Sequence, residues 1–183
     1  MSKKEAPVLV VLGDGGVGKT SIVLRFIRDQ FSQTYEPTLE DNYKTKVLLD
    51  NGSTLDIDIA DTAGQDDYIS LRDRYMDIAD AFLVVYSITD NRSLTTAESL
   101  LQQISTLREN KPFKFLLAGN KCDLAANRKV TQEDGKSLAD KYHGRFLETS
   151  AFKRLNIDEA FKDLARMLVQ TEATDVGCNC RIA

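Results

Sequence analysis

Eight residues near the start of the chain, Gly13-Asp14-Gly15-Gly16-Val17-Gly18-Lys19-Thr20, fit the spacing G-x-x-x-x-G-K-[ST]. Glycines let a backbone take positive φ and approach a ligand closely, so consecutive N–H groups can wrap an anion. A helix opening at Lys19 would add the positive end of its dipole. In such a cradle the lysine reaches the β- and γ-phosphates of a nucleotide, and the Thr20 hydroxyl is placed to ligate Mg²⁺. The bland alternative is a flexible glycine-rich turn. The context opposes it: the run Val8 to Leu12 reads as a buried strand, and Lys19 to Arg28 has helical spacing.

A second cluster, Asn120-Lys121-Cys122-Asp123, follows the apolar run Phe115 to Ala118 and therefore sits at the carboxyl end of a strand, where open α/β sheets bind ligands. A carboxylate there has a specific meaning. Guanine presents two donors, N1–H and the 2-amino group, that one carboxylate accepts together, whereas adenine offers an unprotonated N1 that would leave Asp123 unpaired and repelled. By itself the motif is also compatible with a structural turn; behind a phosphate loop in the same sheet it argues for GTP over ATP. Cys122 reads as a small core residue, with redox sensing a distant second.

These residues need a frame, and the hydrophobic pattern supplies one. Leu55, Ile57 and Ile59 alternate with Asp56 and Asp58, and Asn51-Gly52 before them is a hairpin signal, so Tyr43 to Leu49 is expected to pair antiparallel with Leu55 to Ala60. Phe82 to Ser87, Phe113 to Gly119 and Phe146 to Thr149 read as further buried strands. Between them lie two helical stripes: Leu94, Ala97, Leu101, Ile104 and Leu107, then Ile157, Phe161, Leu164 and Leu168. Strands alternating with helices predict an α/β, three-layer P-loop NTPase fold. Its six-stranded, mostly parallel sheet has one antiparallel edge strand and helices on both faces. Residues 1–170 form the nucleotide-binding domain, and 171–183, which lack periodicity, form a flexible tail.

Composition narrows the rest. The chain has 183 residues and a net charge of −4, from 24 Lys and Arg against 28 Asp and Glu. That suits one domain and offers no positive field to hold nucleic acid. Three cysteines, two of them in the last six residues, cannot build a disulfide framework, so a reducing compartment is expected. The longest apolar run, Ala81 to Tyr86, is far too short to span a bilayer; the start is too short for a signal peptide, and Ser2 excludes myristoylation. His143, alone beside Gly144, reads as a loop residue.

The motifs GDGGVGKT, YEPTLEDNY, DTAGQ, NKCD and ETSA stand in the order found in Ras-type small GTPases, and the chain resembles that family over residues 6 to about 170 and in its tail. The likeness is to the Ras and Rap branch: no room exists for the helix that Rho-type proteins insert after NKxD, and the tail differs from the usual Rab ending. Gln65 stands where Rap-type proteins commonly have Thr. The resemblance implies that Asp61 holds Mg²⁺ through water, that the Gly64 N–H meets the γ-phosphate, and that Gln65 orients the attacking water. It implies that Thr38 binds Mg²⁺ and the γ-phosphate in the triphosphate state, so that residues 31–43 and 64–76 relax together when that phosphate leaves. It places Ser21, Tyr35 and Leu124 in the binding set, and Ser150 and Ala151 at the guanine oxygen. Phe31 matches a ring that packs on guanine, although a lone aromatic at a helix end is also a common core residue. Where the family usually has Lys, Phe152 stands; loss of the lysine stem is expected to weaken nucleotide binding or speed exchange. A side chain at Gly15 or Gly16 would crowd the water and an incoming arginine, so Gly15→Val is expected to trap the active state.

No arginine lies between Asp29 and Ser70, the first in the helix of the second switch being Arg72, so neither switch loop carries one to stabilise the transferred phosphoryl. Hydrolysis is expected to be slow until a GTPase-activating protein supplies it. The segment Tyr35, Glu36, Pro37, Thr38, Leu39, Glu40, Asp41, Asn42 and Tyr43 resembles an effector loop: an edge strand can pair with a partner strand, and its acids would steer a basic one. The lesser reading is that those acids merely guard the edge from aggregation. Cys180 stands fourth from the end, as in C-a-a-X with terminal Ala, a farnesyl signal, though Arg181 is unusual in the first aliphatic slot. One prenyl chain anchors only marginally and no polybasic run precedes it, so palmitoylation of Cys178 is the available second signal. The expectation is a GTPase switch on the cytoplasmic face of the plasma membrane, exchanging onto endomembranes and served by exchange factors, activating proteins and effectors. A P-loop ATPase or small-molecule kinase is disfavoured by Asp123 and the lack of a lid domain; a module that holds GTP permanently is disfavoured by Gln65 and Thr38.

Overall fold

The computed structural model describes residues 6–32, 40–63, 69–109 and 111–175. In chain order they form β1 (Val8–Gly13), α1 (Lys19–Arg28), β2 (Glu40–Leu48), β3 (Thr54–Thr62), α2 (Ile69–Ile78) and β4 (Ala81–Ser87). There follow α3 (Asn91–Leu107), β5 (Phe115–Asn120), α4 (Gln132–Lys141), β6 (Arg145–Glu148) and α5 (Ile157–Asp175). The six strands make one sheet in the order β2-β3-β1-β4-β5-β6. All neighbours are parallel except β2 and β3, which pair antiparallel from Glu40↔Thr62 to Leu48↔Thr54. The expected architecture is present.

Burial explains which run became which strand. β4 and β5 are buried at every residue, as their unbroken apolar runs require of strands covered on both faces. β2 at the edge alternates, with Val47 alone fully buried. Alternate residues of the central strands point into two separate cores. Leu9, Val11, Leu83 and Val85 face Ile22 of α1 and Phe161 and Leu164 of α5. Val10, Leu12, Phe82 and Val84 face Met76 of α2, Leu101 and Ile104 of α3 and Ala139 of α4.

Two sequence expectations need adjustment. Leu107 is exposed rather than part of the α3 stripe. Repeated three-residue steps lag the helical turn by about 60° each, so the stripe drifts off the buried face by the end of the helix. α5 also runs to Asp175, five residues into the segment expected to lack regular structure, because its side chains up to Leu168 are anchored in the core.

The helix beginnings differ in a way that matters below. Asp90 caps α3 by accepting from the Arg92 N–H, and Thr131 with Asp134 forms a reciprocal capping box on α4. α1 starts at Gly18 with φ 100° and no side-chain cap. Its first N–H groups are left for something other than the protein to satisfy.

Candidate functional site

β1 lies at the middle of the sheet, flanked by β3 and β4. The chain after it therefore leaves the carboxyl edge at the point where successive strands depart in opposite directions, the favoured ligand position in such sheets. The loop Asp14–Gly18 occupies that point. Its glycines are not interchangeable with larger residues. A Cβ on Gly13, at φ +149°, would lie 2.2 Å from the Val85 carbonyl oxygen, and one on Gly18, at φ +100°, would lie 2.4 Å from Asn120 Nδ2. Val17 sends its side chain into the core and offers the site only its backbone. Gly15 and Gly16 are exposed on the open side.

Lys19 is buried, and its ammonium donates to the carbonyls of Gly13 at 3.0 Å and Asp14 at 2.9 Å, so it lies along the loop it would serve. Burial pushes it down to about 8, opposed by the charges of Asp61 and Asp14. Asp14 accepts from the Gly15 N–H at 2.7 Å and, more weakly, from the Thr96 hydroxyl at 3.4 Å.

Asp61, near the end of β3, pairs in register with Val11 on one side and Asp41 on the other. It is fully buried, and neither carboxylate oxygen has a hydrogen-bond partner of normal geometry among the described residues. Burial pushes the carboxyl up to about 6, while the Thr20 hydroxyl and the Lys19 ammonium pull the other way. A buried, unpaired carboxylate is costly unless a cation completes it. Thr20 and Asp61 thus present hard oxygen donors beside the phosphate loop, the donor type that Mg²⁺ takes. No group of three His, Cys, Asp or Glu side chains gathers among the described residues. A divalent ion here would draw its remaining ligands from phosphate oxygens and water.

The cluster expected to read the base is tied to the glycine-rich loop by direct bonds. Asn120 Nδ2 donates to the Val17 carbonyl at 2.8 Å, and Lys121 Nζ to the Gly16 carbonyl at 2.7 Å. Lys121 sits at φ 65°, which turns the chain out of β5 toward the loop. Asn120 Oδ1 accepts from the Thr149 hydroxyl at 3.3 Å and the Ala151 N–H at 3.4 Å. The Ser150 hydroxyl donates to Asp123 at 2.5 Å and receives the Lys153 N–H at 3.0 Å. NKCD and ETSA, whose first residues Asn120 and Glu148 are 28 positions apart, thus form one unit.

Of the remaining expectations, Cys122 is half-buried against the core around Tyr86, and burial pushes its thiol up, which disfavours the reactive thiolate. Phe31 packs partly on the core, and Phe152 places its ring edge-on to it at 5.4 Å. Leu124 contributes a backbone N–H to the turn while its side chain is exposed. Ser21 is half-buried in the first turn of α1, and His143 is an exposed turn residue at φ 59°. Glu40, Asp41 and Asn42 line the free edge of β2, with the Glu40 carboxylate taken by the Tyr75 hydroxyl of α2 and by Asn42 at 3.1 Å. Tyr35, Glu36, Pro37, Thr38, Leu39, Gly64, Gln65, Cys178 and Cys180 lie outside the described residues. Thr149 and Arg25 are residues that motif reading passed over. Arg25 holds the Ala151 and Phe152 carbonyls from 126 and 127 positions away, a separation at which no local pattern carries a signal.

Comparison with known proteins agrees with this geometry. A family model described as "Ras family" matches residues 8–170. The Ras-like protein rasB of Dictyostelium discoideum is 43% identical over 166 residues, 91% of this chain and 84% of that protein. The Ras-related protein Ral-a of Drosophila melanogaster is 42% identical over 180 residues, 96% of this chain and 89% of its own length. The chain therefore belongs to the Ras family of small GTPases, enzymes that bind GTP and GDP with Mg²⁺ and hydrolyse GTP.

Proposed function

We propose that this GTPase is a membrane-anchored switch that passes a signal to effectors while GTP is bound and stops when it is hydrolysed. The observation that carries this reading is the coupling of recognition to chemistry: Lys121 and Asn120 bond to the carbonyls of Gly16 and Val17. A guanine read by Asp123 is thereby placed in fixed register with the phosphate cradle.

In this reading the N–H groups of residues 14–20 wrap the phosphates, Lys19 turns from the loop carbonyls to the β- and γ-phosphates, and Ser21, Tyr35, Phe31 and Leu124 complete the pocket. Thr20, Thr38 and Asp61 hold the metal site, where Mg²⁺ neutralises phosphate charge. Gly64 supplies an N–H, and Gln65 aligns the attacking water. Thr38 and Gly64 both depend on the γ-phosphate, so its loss frees two segments at once. The acidic edge of β2 with Tyr35 to Tyr43 receives the effector. An exchange factor reloads GTP, and an activating protein brings the arginine that residues 30–69 lack.

Single-turnover hydrolysis measured with and without a Ras-family activating protein tests the enzymatic part. The expected result is a slow basal rate and a large acceleration; the magnitude known for Ras proteins themselves is roughly 10⁵-fold. A fast rate without the partner would refute it. For the anchor, farnesyl at Cys180 and palmitoyl at Cys178 hold the protein on the cytoplasmic face of the plasma membrane, with exchange onto endomembranes when palmitate is removed. Cys178→Ser is expected to leave the plasma membrane, and a variant that stays there entirely would break the two-chain account.

A further inference from the structure

Arg25, in the last turn of α1, is where three separate stretches of chain converge. Its side chain is only 18% exposed. Nε donates to the Ala151 carbonyl and Nη2 to the Phe152 carbonyl, each at 2.8 Å. Nη1 donates to the Asp29 carbonyl at 3.0 Å and to its carboxylate at 3.2 Å. The guanidinium carbon also lies 5.9 Å from the centroid of the Phe31 ring, within reach of a cation–π attraction.

Each contact governs a part of the base end. Asp29 stands at φ 53°, a left-handed conformation that steers the chain out of α1 toward Phe31. The turn is gripped on one side by Arg25 and on the other by Arg154, whose guanidinium lies 2.6 Å from the Asp29 carboxylate. Phe31 and Phe152 meet edge-on, their planes 65° apart. The Ala151 and Phe152 carbonyls are drawn toward α1, while the Ala151 N–H donates to Asn120 Oδ1 in a long 3.4 Å bond, weak enough to be exchanged for a base oxygen. A planar cation with five donors can hold two carbonyls and a carboxylate at once; a lysine or an amide cannot.

We propose that Arg25 is a positioning residue for guanine, fixing the Ala151 N–H at the base oxygen and the Phe31–Phe152 pair as the wall beside it. The proposal rests on the guanine-site reading above and adds to it the residue that holds its far wall in place. Asp123, which reads the N1–H and 2-amino edge, accepts from the Ser150 hydroxyl, and the bonds of Arg25 go to neither of these side chains. Loss of Arg25 therefore acts on one edge of the base and spares the other.

The test uses the full-length chain as wild type, Arg25→Gln and Arg25→Lys, loaded in turn with GDP, 6-thioguanosine diphosphate and inosine diphosphate, with release rates measured for each. Sulfur is a poor acceptor and reports the Ala151 edge; inosine lacks the 2-amino group and reports the Asp123 edge. Arg25→Gln is expected to release GDP about tenfold faster, the loss of roughly one charge-assisted hydrogen bond, with Arg25→Lys intermediate. The wild-type preference for GDP over the thio analogue shrinks in the variant, while its preference for GDP over inosine diphosphate is unchanged. Unchanged GDP release, or faster release with both preferences intact, overturns the proposal, since mere loosening of the fold speeds all three ligands alike. Should Arg25→Gln fail to fold, Arg25→Lys gives the same two ratios. A wild type that holds GDP and inosine diphosphate equally overturns the guanine reading itself, and the proposal with it; a discriminating wild type beside a variant with intact ratios overturns only the role of Arg25.

Discussion

The two ends of the nucleotide site are built on opposite principles. At the base end Asn120, Lys121, Asp123 and Ser150 all have partners within the protein, and Arg25 braces the outer wall. At the phosphate end neither oxygen of the buried Asp61 has a hydrogen-bond partner of normal geometry among the described residues, α1 begins without a side-chain cap, and Lys19 lies on loop carbonyls. One end is braced by bonds within the protein; the other gathers buried charge on Asp61 and Lys19 that a cation and phosphate would balance. Recognition of an unvarying base needs a fixed template, whereas the switch proposed above needs groups whose energy changes greatly when one phosphate comes or goes.

The largest effect is expected at the braced end. Asp123→Asn turns one acceptor into a donor facing the two donors of guanine. Mismatched buried hydrogen-bonding groups of this kind discriminate by roughly 10³-fold or more, and GDP dissociation constants measure it. A loss under tenfold would show that Asp123 does not read the base.

At the phosphate end the sign should reverse with ligation. Burial pushes the Asp61 carboxyl up to about 6 from its ordinary 3.8, so the folded protein takes up the proton first as pH falls. Its contribution to stability is therefore fully present below 3.8 and lost as pH rises through 6. Asp61→Asn removes the buried charge. In nucleotide- and metal-free protein at pH 7 it is expected to gain about 2 kcal/mol, or roughly 5 °C in melting temperature. That gain should fade toward pH 4. With GDP and Mg²⁺ the variant should instead lose stabilisation, and a gain in both states would deny Asp61 its cation. Calorimetry across pH and ligation measures both.

The smallest effect sharpens the boundary between the two ends. Phe152 is 49% exposed, so Phe152→Lys is expected to slow GDP release only about twofold, in keeping with surface substitutions. A change beyond tenfold in a stopped-flow assay would place this ring at the centre of base recognition.

Much of this was legible from residue order alone. The fold followed from apolar runs of strand length alternating with helical stripes, and the phosphate loop from glycine spacing after such a run. Asn51-Gly52 marked the hairpin turn that the structure closes, with Gly52 at φ 80°. What was not legible depended on contacts between distant segments. The drift of Leu107 off the buried face needs the geometry of the sheet beneath α3. The role of Arg25 depends on carbonyls that lie far along the chain, and nothing local distinguishes an arginine that grips them from one that points into water.

The sequence by itself determined which groups are on offer: glycines that suit a backbone cradle, a lysine and oxygen donors that suit phosphate and metal, a carboxylate that suits guanine, and no arginine in residues 30–69. Such properties belong to residue types and to short spacings, which survive any fold that keeps the loop intact. Only the tertiary structure decided which of these groups are satisfied and which are left in want. Satisfaction is a property of three-dimensional neighbours: burial made Asp61 costly and Lys19 less basic, and packing of α1 against the loop after β6 turned Arg25 into a brace.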